Sequence, residues 1–230
     1  MKLNKPKFWD TKISIISIFF FPLSLIVLLF IFLKKKFTTA IKFNVPIICV
    51  GNIYVGGTGK TPISILLANE LLELGKNPVI LRKYYKNHFD EHELIKKNFK
   101  NLIISQNRID GIKEAEKKSY DSVILDDGLQ DYKIKKDLNI VCFNNNQLIG
   151  NGLVLPAGPL RENLNSLKNV SIIIINGIKN IKFEEKCLSI NKDLKIFYSH
   201  YKPINLDKYV NKKLVAIAGI GNPENFFKIL

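Results

Sequence analysis

The residues with the most chemistry in this chain are Val55-Gly-Gly-Thr-Gly-Lys-Thr61. Three glycines let successive backbone N–H groups converge on an anion. Lys60 adds a compact positive charge, and the Thr61 hydroxyl can ligate a divalent cation. That is the chemistry of a nucleotide phosphate cradle. Tyr54, Val55, Gly56, Gly57, Thr58, Gly59, Lys60 and Thr61 are therefore expected to hold ATP. The strict eight-residue pattern wants glycine where this chain has Tyr54. A plain strand-to-helix turn would also use glycines, but it has no need of a Lys-Thr pair. The second set is Val123-Ile-Leu-Asp-Asp-Gly-Leu-Gln130, an apolar run ending in two carboxylates. Alone, Asp-Asp-Gly is also a turn signal. Behind a phosphate loop, Asp126 and Asp127 are expected, with Thr61, to hold Mg²⁺.

Arg82, Arg108 and Arg161 are the only arginines in a lysine-rich chain. A planar guanidinium fork suits phosphate better than an ammonium does, although each arginine could equally be structural or face solvent. Candidate bases are scarce. His88 and His92 flank Asp90 and Glu91 in a short polar segment, and His200 stands apart.

These residues need a scaffold, and the chain supplies an α/β pattern. Short apolar runs at 47–50, 79–81, 102–104, 123–125, 140–143, 170–175 and 215–218 read as strands. Residues 61–74 read as a helix whose Ile63, Leu66, Leu67 and Leu74 face the sheet and which Gly75 ends. Residues 109–118 carry a second helical pattern, and 144–163 read as loop. Strands alternating with helices predict a P-loop NTPase-like, mainly parallel sheet with flanking helices. Such a sheet gathers the ends of its strands at one ligand-binding edge.

Residues 13–33 form an uncharged, almost wholly apolar run, flanked by Lys12 and by Lys34, Lys35 and Lys36. As a helix it would be about 31 Å long, the hydrocarbon thickness of a bilayer. With no polar face it reads as a membrane anchor. The lysines that follow place the downstream domain on the cytoplasmic side. Pro22 leaves open a helix lying partly in one leaflet. The boundaries expected are an anchor at 1–36, a kinase core at 37–177, and a linker with an incomplete C-terminal lobe at 178–230. The net charge of +15 fits either compositional bias or attraction to nucleic acid, acidic lipid or a phosphorylated substrate. Cys49, Cys142 and Cys187 show no paired spacing, so neither a disulfide framework nor a zinc site is expected.

Taken together the residues resemble the tetraacyldisaccharide 4′-kinases of lipid A biosynthesis. The resemblance rests on Gly51-Asn52 with the phosphate loop, Leu125-Asp-Asp-Gly-Leu-Gln130, Asn151-Gly152 with Leu155-Pro-Ala-Gly-Pro-Leu-Arg-Glu162, and Gly219-Ile-Gly-Asn-Pro223, in that order. It implies transfer of the γ-phosphate of ATP to the 4′-hydroxyl of an acylated glucosamine disaccharide 1-phosphate at the bacterial inner membrane. The implied cofactors are ATP and Mg²⁺, and neither nucleic acid nor a protein partner is implied. Phe89-Asp90-Glu91-His92 aligns with the family's Gly-Asp-Glu-Pro segment, so Asp90 inherits the role of base and Lys60 is catalytic with it. Glu91, Arg82, Arg108, Gln130 and Arg161 are the implied substrate or phosphate contacts. The family's Ser-Arg-Gly-Tyr-Gly is worn to Leu81-Arg-Lys-Tyr-Tyr85, and its later Asp-His-His segment is absent from this sequence. A fragment, or a chain that only binds nucleotide, is the corresponding expectation. A membrane-associated regulatory ATPase is the alternative from another class, but those carry lysine where this turn has Val55.

Overall fold

The computed structural model describes residues 5–11, 13–86, 89–202, 215 and 217. His88, most of the strand expected at 215–218, and the Gly-Ile-Gly-Asn-Pro segment lie outside them. Seven strands form one sheet: β1 (Ile47–Gly51), β2 (Pro78–Lys83), β3 (Leu102–Ser105), β4 (Ser122–Asp126), β5 (Leu138–Asn144), β6 (Ile172–Asn176) and β7 (Lys195–Ser199). Their order is β3-β2-β4-β1-β5-β6-β7, and every pairing is parallel. Parallel strands are covered on both faces, which is why β1 and β4 read as unbroken apolar runs. On one face Ile47, Cys49, Val79, Leu81, Val123 and Leu125 pack with Ile112 and Ala115 of α4 (Arg108–Lys117). On the other, Val50, Ile80, Ile124 and Cys142 pack with Ile65 and Ala68 of α2 (Lys60–Glu73) and Ile95 of α3 (Phe89–Asn98). Burial pushes the thiols of Cys49 and Cys142 up to about 12, so both are inert core residues.

Helix α2 starts at Lys60, one residue before the expected position, with Gly59 at φ +86° as its N-cap. It ends as expected. The Lys76 amide donates to the Leu71 carbonyl and the Gly75 amide to the Leu72 carbonyl, with Gly75 at φ +73°. That is a Schellman stop, which needs a residue at ease in the left-handed region.

Two expectations change. The polar segment around Asp90 is the first turn of helix α3, where acidic residues favour the positive end of the helix dipole. Within the described residues, the stretch from 178 to 199 joins the core sheet. It contributes α5 (Ile181–Leu188) and then β7, which pairs with β6 along its whole length. Phe183 and Cys187 of α5 are buried against Phe143, Ile173 and Ile175. The high lysine content masked this unit, because the lysines occupy only its outer positions.

The apolar segment is helix α1 (Ile15–Phe37), capped by Ser14 and containing Pro22. It is long and apolar enough to cross a membrane. One narrow face of it is nevertheless bound to the domain. Ser17 and Ser24 are buried, while Ile15, Ile18, Phe19, Ile26, Leu29 and Phe30 are exposed. Ser24 Oγ donates to the Val154 carbonyl (2.8 Å) and accepts from the Ala157 amide (3.0 Å). Asn151 donates to Ser17 Oγ (3.1 Å), Lys35 pairs with the buried Glu162, and Leu28 packs on Tyr54, Val154 and Leu160. Positions 17, 24, 28 and 35 fall on one helical stripe.

Candidate functional site

The parallel sheet sets the site at the C-terminal ends of β1, β4 and β2. Beyond Gly51 the chain enters the phosphate loop, beyond Asp126 it turns sharply at Asp127 (φ +60°), and Arg82 lies in register with Asp126 on the neighbouring strand. In the loop Asn52 donates its side-chain amide to the Tyr54 (2.6 Å) and Gly56 (3.2 Å) carbonyls, which turns those carbonyls away from the cradle. The Val55 amide is committed to the Pro159 carbonyl (2.9 Å), which ties the loop to the proline-rich segment. Tyr54 is fully buried with its ring against that segment and α1, and its hydroxyl donates to Asp10 (3.0 Å). Glycine would leave that packing empty, which accounts for tyrosine at this position. Its side chain therefore faces the anchor rather than the cradle.

Asp126 is completely buried and is the hub of the site. It accepts from Thr61 Oγ1 (3.0 Å) and Ser64 Oγ (3.3 Å), and it is paired with Arg82. Arg82 also pairs with Glu91 on the first turn of α3, so α3 is bound to the phosphate loop through one arginine. Asp90 sits beside Glu91 on that turn, exposed to solvent. His92 is buried and its ring stacks on Tyr84.

Asp127 belongs to a second group. Its carboxylate lies 2.9 Å from Arg161 and 3.8 Å from Lys60 Nζ, while its backbone carbonyl accepts from Arg108 (2.6 Å). Gln130 lies within 3.4 Å of Arg161 and donates to the Asn52 carbonyl (3.1 Å). Burial raises the Asp127 carboxyl, but Lys60 and Arg161 outweigh it and leave its pKa below the ordinary value. Burial also lowers the Lys60 ammonium, only partly opposed by Asp127. A cleft of about 560 Å³ opens from this group and is lined by Arg108, Arg161, Asp127 and Gln130, by Lys83 and Lys133, and by Lys34 at the end of α1.

The expected site residues thus fall into two linked groups. Thr61, Asp126, Arg82 and Glu91 form one, and Lys60, Asp127, Arg161, Gln130 and Arg108 form the other. Among the described residues no group of three or more His, Cys, Asp or Glu side chains is placed to hold a metal. A hydroxyl beside one carboxylate suits Mg²⁺ instead, which takes few protein ligands and completes its shell with phosphate oxygens and water. The sequence alone did not point to Ser64, and it marked Asn52 only as part of the resemblance, without a role. Ser64 was within reach, because a residue three positions after Thr61 on a helix shares its face.

The family described as tetraacyldisaccharide-1-P 4′-kinase matches residues 16–230 of this chain. The tetraacyldisaccharide 4′-kinase of Pelagibacter ubique is 41% identical, over 100% of this chain and 74% of its own length. That of Francisella philomiragia is 37% identical over 82% of this chain and 68% of its own length, and that of Shewanella sediminis 35% over 95% and 71%. Among solved structures, LpxK from Aquifex aeolicus in complex with ATP shares the fold, with a TM-score of 0.61 at 23% identity over 94% of this chain and 90% of that one.

Proposed function

This chain belongs to the tetraacyldisaccharide-1-P 4′-kinase family, and we propose how its own residues carry out that reaction. It is an ATP-dependent kinase of lipid A biosynthesis that phosphorylates the 4′-hydroxyl of a tetraacylated disaccharide 1-phosphate. The observation that carries the assignment of roles is the Thr61–Asp126 contact, which joins the phosphate loop to the strand-end carboxylate. Thr61 and Asp126 are the residues that would hold Mg²⁺. Held there, it would supply neutralisation of charge at the phosphates. Asp127 is a positioning residue that orients Lys60 toward the phosphates, with Arg161 sharing its charge. Backbone amides of residues 56–61 complete the cradle.

The basic cleft from Arg161 to Lys34 is the path of the acceptor, whose own phosphate is an anion. Asp90 accepts the proton of the sugar hydroxyl as its oxygen bonds to the γ-phosphorus. The bond from that phosphorus to the bridging oxygen breaks, and ADP leaves. Incubating the protein with radiolabelled ATP and the acylated disaccharide 1-phosphate is expected to label the lipid. ATP hydrolysis that is indifferent to the lipid would overturn the reading in favour of a regulatory ATPase, and binding without turnover would favour a nucleotide-binding subunit.

Helix α1 holds the enzyme at the inner membrane, with the domain in the cytoplasm. Its docked stripe runs from Ser17 to Lys35, about 27 Å of helix. An upright crossing would drag the polar partners Asn151 and Glu162 through the hydrocarbon layer, where unsatisfied polar groups cost several kcal/mol each. The helix therefore lies in one leaflet with its exposed apolar side down. The three native cysteines are buried, so a Lys7→Cys variant offers one reactive thiol. An impermeant maleimide added on the cytoplasmic side is expected to label it. Labelling only from the opposite side would show a crossing helix.

A further inference from the structure

The phosphate loop has a wall that its own motif does not supply. Asn176 ends β6 and lies in register with Ser199 at the end of β7, and the Gly177 amide donates to the Ser199 carbonyl (2.9 Å). Both strand ends therefore reach the same edge as the cradle. A methyl group placed on Gly59 would lie 3.0 Å from the Tyr201 hydroxyl oxygen and 3.1 Å from the Asn176 side-chain nitrogen. Two polar side chains from 117 and 142 residues further along the chain thus converge on the left-handed turn that opens α2.

The Asn176 amide faces the Tyr201 hydroxyl as donor, and burial raises the phenol's pKa against the lowering effect of that contact. A hydroxyl that already accepts from Asn176 directs its own hydrogen elsewhere. Tyr201 also keeps 44% of its surface exposed, so core packing does not account for its place. Among the described residues none is placed to accept that hydrogen, and an anion seated on the Gly59 turn would do so.

We propose that Tyr201, held by Asn176, is a nucleotide-binding residue whose hydroxyl donates to a phosphate oxygen seated on the Gly59 turn. The proposal rests on the reading of residues 56–61 as the ATP cradle. It extends the site to the end of β7, in a stretch where neither a motif nor the basic cleft points. Asn176 acts through Tyr201 as a positioning residue.

The test is direct titration of the full chain with a fluorescent ATP analogue, without lipid, in Tyr201→Phe, Tyr201→Ala and Lys60→Ala variants. Tyr201→Phe is expected to weaken binding about tenfold, the size of one hydrogen bond to a charged acceptor. The KM for ATP should rise in step, while the KM for the lipid acceptor and the Tm stay unchanged. Wild-type affinity in Tyr201→Phe with a loss only in Tyr201→Ala would show ring stacking and overturn the hydroxyl role. Wild-type affinity in both would overturn the site. Lys60→Ala separates the premise: if it too binds like wild type, the cradle assignment fails, independently of Tyr201.

Discussion

Exchanging Asp126 for asparagine is expected to reduce turnover about a thousandfold, since metal-assisted charge neutralisation supplies several kcal/mol of transition-state stabilisation. The same change should lower Tm by roughly 10 °C, because breaking a buried ion pair costs about 3–5 kcal/mol. Asp126 is fully buried and serves Thr61, Ser64 and Arg82 at once. The neutral amide can still accept from Thr61, but it deprives the Arg82 guanidinium of its buried carboxylate partner, while the pairing with Glu91 stays. Titrating Mg²⁺ against residual turnover distinguishes the roles. Half-maximal activity should move to higher Mg²⁺ if Asp126 holds the ion. An unshifted curve with lower plateau would leave Asp126 a purely structural hub.

Lys60→Met is expected to match that loss of turnover without the loss of stability. Only 13% of the Lys60 side chain is exposed, and its nearest carboxylate, Asp127, is 3.8 Å away and shared with Arg161. Burial lowers its pKa, so the fold holds this charge at a cost. Methionine fills similar volume with no charge to bury, and Arg161 still partners Asp127. Tm should stay within a few degrees of wild type or rise, while turnover falls by about three orders of magnitude. A large drop in Tm would mean that Lys60 is a structural partner of Asp127 first.

The contrast between these variants shows which parts of the site were legible in the sequence. The phosphate loop and the strand ending in Asp126 announce themselves because glycine, lysine and carboxylates at those spacings have few other uses. The parallel sheet was legible for a similar reason: strands buried on both faces must be apolar throughout, as β1 and β4 are. β7 was not, because among the described residues it lies at the sheet's edge, and the exposed Lys195 and half-buried neighbours break the apolar run. The Arg82 bridge was hidden as well. It depends on β2 lying beside β4 with Arg82 opposite Asp126, a long-range pairing that no local pattern encodes. Tyr201 lies on the far side of that same gap, two residues past a strand the sequence did not reveal.

The docking of α1 has a consequence for how the protein is made. Ser24 finds its partners at Val154 and Ala157, 130 and 133 residues later. During synthesis from the N-terminus, the most apolar helix of the chain leaves the ribosome well before the segment that receives it exists. At about 5–20 residues per second, that is a wait of roughly 7 to 25 seconds. For that interval Ser24 has only the Phe20 carbonyl within its own helix as a partner, and Ser17 only Ser14. The hydroxyl stripe between α1 and the segment around Val154 and Ala157 is thus completed late, after the helix itself has formed.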